Sequence, residues 1–202
     1  MVRPQKGTDT RLPQGCEQFP ASLTDVNKLT DIVAQSSAVV YCAGSVRGRN
    51  AADYSEANID GVSAMLEELE RVEKKPPLLL LSSLAASRPQ LSDYAFSKHQ
   101  GEQLLVGKPS LAWTIIRPPA VYGPGDREML PLLKMARRGL VFHAGPREQR
   151  LSLLHVGDLA RAVTAWLREP EKHLHKTYAI DDGTADGYGW DDIAAAVCEG
   201  TP

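Results

Sequence analysis

A tyrosine and a lysine four residues apart, Tyr94 and Lys98 in "SDYAFSK", follow a serine pair, Ser82 and Ser83, that ends the run "LLLLSS". On a helix, positions i and i+4 emerge on one face, so the phenol and the ammonium would share it. Tyrosine is a poor acid or base at neutral pH because its unperturbed pKa is about 10. A neighbouring ammonium stabilises the phenolate, and a serine hydroxyl can hydrogen-bond the reacting oxygen. The trio suits moving a proton to or from a carbonyl or an alcohol. Tyrosine and lysine at this spacing are a weak signal alone, since any helix can carry them. The serine pair just upstream, where a strand should end, gives the spacing its meaning.

The elements that must hold these residues can be read from hydrophobic periodicity. "AVVYCAG" (38–44) reads as a buried strand ending in a small-residue turn, and "PPLLLLSS" (76–83) as a second strand, since its prolines block a helix entering it. Between them, Ile59, Val62, Met65, Leu66, Leu69 and Val72 recur at helical spacing within 53–74. Residues 94–106 read as a helix, "LAWTIIRP" (111–118) as a strand, and 129–138 as a helix stopped by Gly139. Asp158 is expected to cap a helix bearing Leu159, Val163, Trp166 and Leu167, followed by a strand "KTYAI" (176–180) and a short helix marked by Ile193 and Val197. Alternating strands and helices imply an α/β fold, a parallel sheet with helices on both faces.

Composition narrows the function. The 202 residues carry 23 Lys+Arg against 25 Asp+Glu, a formal charge of −2, with 43% hydrophobic content. That balance makes no electrostatic case for nucleic acid or an anionic membrane surface. The longest apolar run is too short to span a bilayer, and the first fifteen residues hold no apolar signal core. Cys16, Cys42 and Cys198 are scattered, lack metal-ligand spacing and read as reduced thiols in a cytoplasm; no metal is expected. The Asp-rich stretch 181–192 fits no ion-binding loop and reads as a solvated turn.

Five stretches in order resemble the extended short-chain dehydrogenase/reductase superfamily, in its NAD-dependent epimerase/dehydratase group: "VVYCAG", "ANIDGVSAMLEEL", "LSSLAAS" with "YAFSK", "IIRPPAVYGPGD" and "LLHVGDLARAV". The resemblance implies a Rossmann-like domain, NAD or NADP as cofactor, and chemistry on a carbonyl or alcohol of a small molecule. It implies that Tyr94 is the acid/base, that Lys98 lowers its pKa and holds the nicotinamide ribose, and that Ser83 orients the substrate. Asn58 would steady the site, and Ala43, Gly44 and Pro118 would line the cofactor. Arg3 sits where NADP-preferring members keep an arginine for the 2′-phosphate, and reads equally well as a surface charge. Arg47 and Arg49 could meet a phosphate or an acidic substrate, or belong to a solvated loop. His155 reads as a packed or capping residue. Helices 53–74 and 94–106 resemble those through which two copies of such enzymes pair.

The departures are as informative. No GxxGxxG turn, the family's pyrophosphate cradle, occurs in the chain. "MVRP" resembles the end of the family's second strand and "CEQFPASL" its third, so the sheet is expected to be incomplete, lacking the first strand and the glycine-rich turn. The domains follow: 1–124 with 151–180 as an incomplete NAD(P)-binding domain, and 125–150 with 181–202 as a partial substrate lobe. Nucleotide-sugar members commonly place an arginine four residues before the histidine of "LLHV", and this chain has Leu151 there. Three readings stay open: a working NAD(P)-dependent enzyme, a cofactor-free relic serving as a binding or scaffold module, or a truncated piece of an ordinary enzyme. On the truncated reading the chain binds NAD(P) weakly or not at all. The exposed edge of "AVVYCAG" is expected to be covered by residues 1–22 or by a partner molecule.

Overall fold

The computed structural model describes residues 15–19, 21–23, 26–140, 146 and 148–199. Four parallel strands form the main sheet in the order β1 (Val39–Tyr41), β2 (Leu78–Leu81), β3 (Trp113–Arg117), β6 (Lys176–Ala179). In β2 every residue is apolar because the strand is covered on both faces. Leu78 and Leu80 point into a core shared with α1 (Val26–Gln35), α3 (Gly61–Arg71) and α4 (Asp93–Val106). Leu79 and Leu81 point the other way, onto Leu159, Val163 and Trp166 of α6 (Val156–Arg168). The expected parallel α/β sheet with helices on both faces is the observed one. Between the layers, the Trp166 indole donates to the Thr114 hydroxyl (3.0 Å), which donates to the His173 carbonyl (2.7 Å).

Several boundaries differ from the sequence expectation for local reasons. The strand expected at 16–23 does not form in its described part; those residues run as irregular chain, Ala21 is buried, and Leu23 lands against the main core. A proline at position 20 removes one ladder donor there. The helical stretch expected over 53–74 is three segments: α2 (Ala51–Ser55), a π turn over Glu56–Asp60, and α3. Asp158 does not cap α6. His155 does, its Nδ1 accepting from the Gly157 N–H at 3.1 Å, while Asp158 pairs with Arg161 in the first turn. Gly139, at φ +76°, follows α5 (Leu130–Ala136) as expected of a helix stop. Two features were not expected from the sequence: α1, and a second sheet, a parallel pair of β4 (Ala120–Tyr122) and β5 (Leu153–His155). Helix α7 (Trp190–Glu199) packs against α5.

Strand β1 pairs with β2 on one side and has no partner on the other among the described residues. Of residues 1–22, expected with a partner molecule as the alternative to cover this edge, residues 1–14, Arg3 among them, and residue 20 lie outside the described residues.

Candidate functional site

The carboxyl ends of β1, β2 and β3 open onto a cavity of about 760 Å³, where open parallel sheets place their ligands. Gly44 follows β1, Ser82 and Ser83 follow β2, Pro118 follows β3, and Tyr94 and Lys98 reach in from α4. Ser83 is held in place twice. Its Oγ accepts the Ala85 N–H (3.2 Å), capping a short 3₁₀ turn, and the next residue's N–H donates to the Pro118 carbonyl (2.8 Å). The Ser92 side chain caps α4 by accepting the Ala95 N–H (3.1 Å), and Asp93 adds negative charge to its first turn. The buried side of α4 carries Ser97, Lys98 and Glu102 beside Ala95, Gly101 and Leu105. Polar groups on the inward face are a poor basis for a helix packed only for stability, and they mark α4 as a helix that serves the cavity.

Tyr94 and Ser83 line the cavity together, and the Ser83 hydroxyl is near enough to act on the phenol. Burial raises the Tyr94 phenol above its ordinary value, and the Ser83 hydroxyl opposes the rise. Sequence reasoning expected the neighbouring ammonium to lower it; in this structure desolvation prevails. Lys98 is itself strongly perturbed. Only 8% exposed, it is lowered by burial from 10.5 to about 8, against the opposing pull of Glu102 and Cys42. Its Nζ donates to the Leu81 carbonyl at a long 3.4 Å. Glu102, one turn further along α4 and 1% exposed, is engaged by Arg117 in a two-point pair (2.9 and 2.5 Å). Its charge is thus largely answered by arginine, which leaves burial to dominate at Lys98.

Asn58 acts by clamping. Within the π turn its Oδ1 accepts the Ser45 N–H (3.1 Å), and its Nδ2 donates to the Ser45 carbonyl (3.0 Å) and to Ser97 Oγ (2.9 Å). Ser97 in turn donates to the Tyr94 carbonyl (2.8 Å). One amide therefore ties the loop after β1 to the first turn of α4. The close approach needs Gly101, where an added Cβ would run into the Asn58 carbonyl oxygen, and Gly44, where it would stand 2.9 Å from Lys98 Nζ. Ser45, Ser97, Gly101 and the Glu102–Arg117 pair were not singled out from sequence. A polar residue and a glycine on the inward face of a helix are the signals that could have found them.

The other expected residues fall as follows. Pro118 is buried on the cavity wall, and Ala43 packs against the core while its neighbour Gly44 faces the cavity. Arg47 is held by Glu128 (2.9 Å) and by the Arg127 carbonyl, while Arg49 stays in an exposed loop. The Asp182 carboxylate accepts from the Thr184 N–H and from the Tyr188 hydroxyl, a local turn.

Residues 3–180 match the NAD-dependent epimerase/dehydratase family. The chain belongs to that family. Among curated relatives, a ceramide reductase of Caulobacter vibrioides is 36% identical over 155 residues, covering 76% of this chain and 47% of the relative. The chain thus spans about half the length of that relative. Among solved structures, the UDP-glucose 4-epimerase of Thermus thermophilus in complex with NAD superposes with a TM-score of 0.77 at 20% identity, over 96% of this chain and 72% of that one. The UDP-glucose 4-epimerase of Thermotoga maritima with UDP-glucose gives 0.76 at 19% identity, over 97% and 72%. At such identities these two establish the fold. No described helix is long and apolar enough to cross a membrane.

The residues of this epimerase/dehydratase family member suit the nicotinamide end of a dinucleotide. A buried ammonium with one long hydrogen bond, a glycine whose missing Cβ leaves room beside it, and a buried proline line one wall. The glycine-rich phosphate turn is not in the 202-residue sequence.

Proposed function

We propose that this chain carries the acid–base machinery of an NAD(P)-dependent oxidoreductase, epimerase or dehydratase acting on a carbonyl or alcohol of a small molecule. One observation carries the reading: Tyr94 and Ser83 line a ligand-sized cavity together with a buried lysine whose pKa is lowered to about 8. Nicotinamide, when bound, supplies or accepts the hydride. In the reducing direction Tyr94 gives its phenolic proton to the substrate oxygen, and Ser83 holds that oxygen by a hydrogen bond. In the oxidising direction Tyr94 takes the proton back. Lys98, charged, stabilises the phenolate so formed and offers its ammonium to the nicotinamide ribose. Gly44 and Pro118 complete the cofactor-facing wall in this reading, with Ala43 behind it and Asn58 holding the adjoining loop. The reductase named among the relatives supports reduction of a carbonyl as the direction. Residues 125–150 and 181–202 form a substrate lobe in this reading, with the α5–α7 contact at its centre, and half-exposed Phe96 and Val106 on α4 support pairing of two copies through α3 and α4.

Affinity for the dinucleotide is weak in this chain. Hydrogen bonds to charged groups are worth about 1.5–3 kcal/mol each, so two missing pyrophosphate contacts lower affinity by roughly 10²–10⁴. Calorimetric titration with NADH and NADPH tests both parts. Weak binding that survives Tyr94→Phe and is lost in Lys98→Ala is expected. Equal binding by Lys98→Ala removes that lysine from the cofactor site, and low-micromolar binding refutes the weak-affinity part. A second reading, a cofactor-free binding or scaffold module, predicts no binding of either nucleotide.

A further inference from the structure

We propose that the substrate carries an extended apolar chain, and that Leu84, Leu91, Val121, Met129 and Leu151 form the trough that receives it. The assignment rests on the acid–base reading above and adds the class of substrate. These five side chains come from separate segments, the turn after β2, strand β4, the approach to α5 and the approach to β5, yet line one cavity together with Ser83 and Tyr94. At about 760 Å³ the space lies within the range of small-molecule sites. Leu91 is 68% exposed and Val46, also on the lining, 55% exposed. Large apolar side chains left in water at the rim of a cavity are the mark of a surface that an apolar ligand covers.

The charges along the wall argue in the same direction. Among the described residues they are Lys98, Arg88 and Glu128. Lys98 lies under the strand ends beside the Leu81 carbonyl, committed to the reacting centre. Glu128 is paired with Arg47, so the two together add no net charge for a diphosphate. Among the described lining residues that leaves Arg88 for an anionic group, a thin provision for a nucleoside diphosphate. An alkyl chain needs none, and gains about fourfold in affinity for each methylene it buries.

A fluorescence titration of the purified chain with two neutral probes, N-decyl dansylamide and N-ethyl dansylamide, tests the trough without cofactor or turnover, so a silent active site leaves the result unaffected. The decyl probe should bind saturably and at least tenfold more tightly than the ethyl probe. Leu91→Glu should weaken the decyl probe tenfold or more with an unchanged melting temperature, because that side chain is already mostly in water. Leu151→Glu should do the same from the far side, and Tyr94→Phe should retain decyl binding. Equal affinity for the two probes, undiminished decyl binding in Leu91→Glu, or displacement of the decyl probe by UDP-glucose at lower concentration than by decanol would overturn the proposal.

Discussion

Replacing Lys98 by methionine should make the protein more stable while removing it from chemistry. The lysine is 8% exposed, and burial lowers it from 10.5 to about 8. That drop corresponds to about 3 kcal/mol lost from the folded state wherever both folded and unfolded chains hold the proton, which is below pH 8. Between pH 8 and 10.5 the unfolded chain binds more protons than the folded one, so stability rises with pH. Above 10.5 both are neutral and the penalty is gone. Methionine has nearly the same length and nothing to desolvate, and it forfeits only a 3.4 Å hydrogen bond to the Leu81 carbonyl. Glu102 keeps Arg117 as its partner, so no buried carboxylate is stranded. Urea unfolding at pH 7 should therefore show Lys98→Met more stable than the native chain by about 2–3 kcal/mol. The gap should narrow as pH climbs from 8 towards 10.5. A variant less stable than the native chain at pH 7, or a gap that ignores pH, would refute the reasoning.

Tyr94→Phe, in any form of the protein that turns over, should lower the rate by about 10²-fold or more with cofactor affinity unchanged, as measured by steady-state kinetics and calorimetry. Asn58→Ala leaves the Ser45 peptide groups and Ser97 without their amide partner and should cost about 2–4 kcal/mol in urea unfolding. Gly101→Ala reverses the usual helix preference. The new methyl meets the Asn58 backbone, which cannot give way, so a net loss of about 1–2 kcal/mol is expected instead of a gain, visible as a lowered melting temperature.

The sheet was legible because its strands are unambiguous: a run of four leucines between prolines and serines has few other uses, and "WTIIR" is apolar where both faces are covered. The proposed acid–base pair could be picked out because its spacing is local. What escaped was non-local. Strand β4 is three residues long and follows a proline pair, so the segment after β3 reads as a loop. Its partner β5 is three residues long and runs straight into α6, where a histidine caps in place of the usual small polar residue. Helix α1 is masked by its surroundings: residues 16–23 resemble a family strand, and the apolar spacing of Leu29, Ile32 and Val33 that follows is short. The clamp at Asn58 could be suspected from a mid-helix asparagine, but its partners Ser45 and Ser97 are 13 and 39 residues away.

The π turn at Glu56–Asp60 makes the protein's tolerance of sequence change lopsided. A widened turn leaves a backbone carbonyl outside the regular ladder, and here Tyr41 of β1 reaches across to serve Ala57 at 2.7 Å. A π turn holds one residue more than an α turn, so deleting one residue from it would let the helix close into regular α geometry with α2 and α3 still nearly in phase. The apolar face of α3 would keep its place in the core. Tyr54, whose ring lies 6.0 Å from that of Tyr94, would stay close to it, but Asn58 would lose the widened turn from which it anchors Ser45. Single-residue deletions here would therefore yield chains that fold while the loop after β1 has lost its clamp. In this stretch inheritance of the fold and inheritance of the proposed chemistry are separately selectable, and a one-codon change in length parts them.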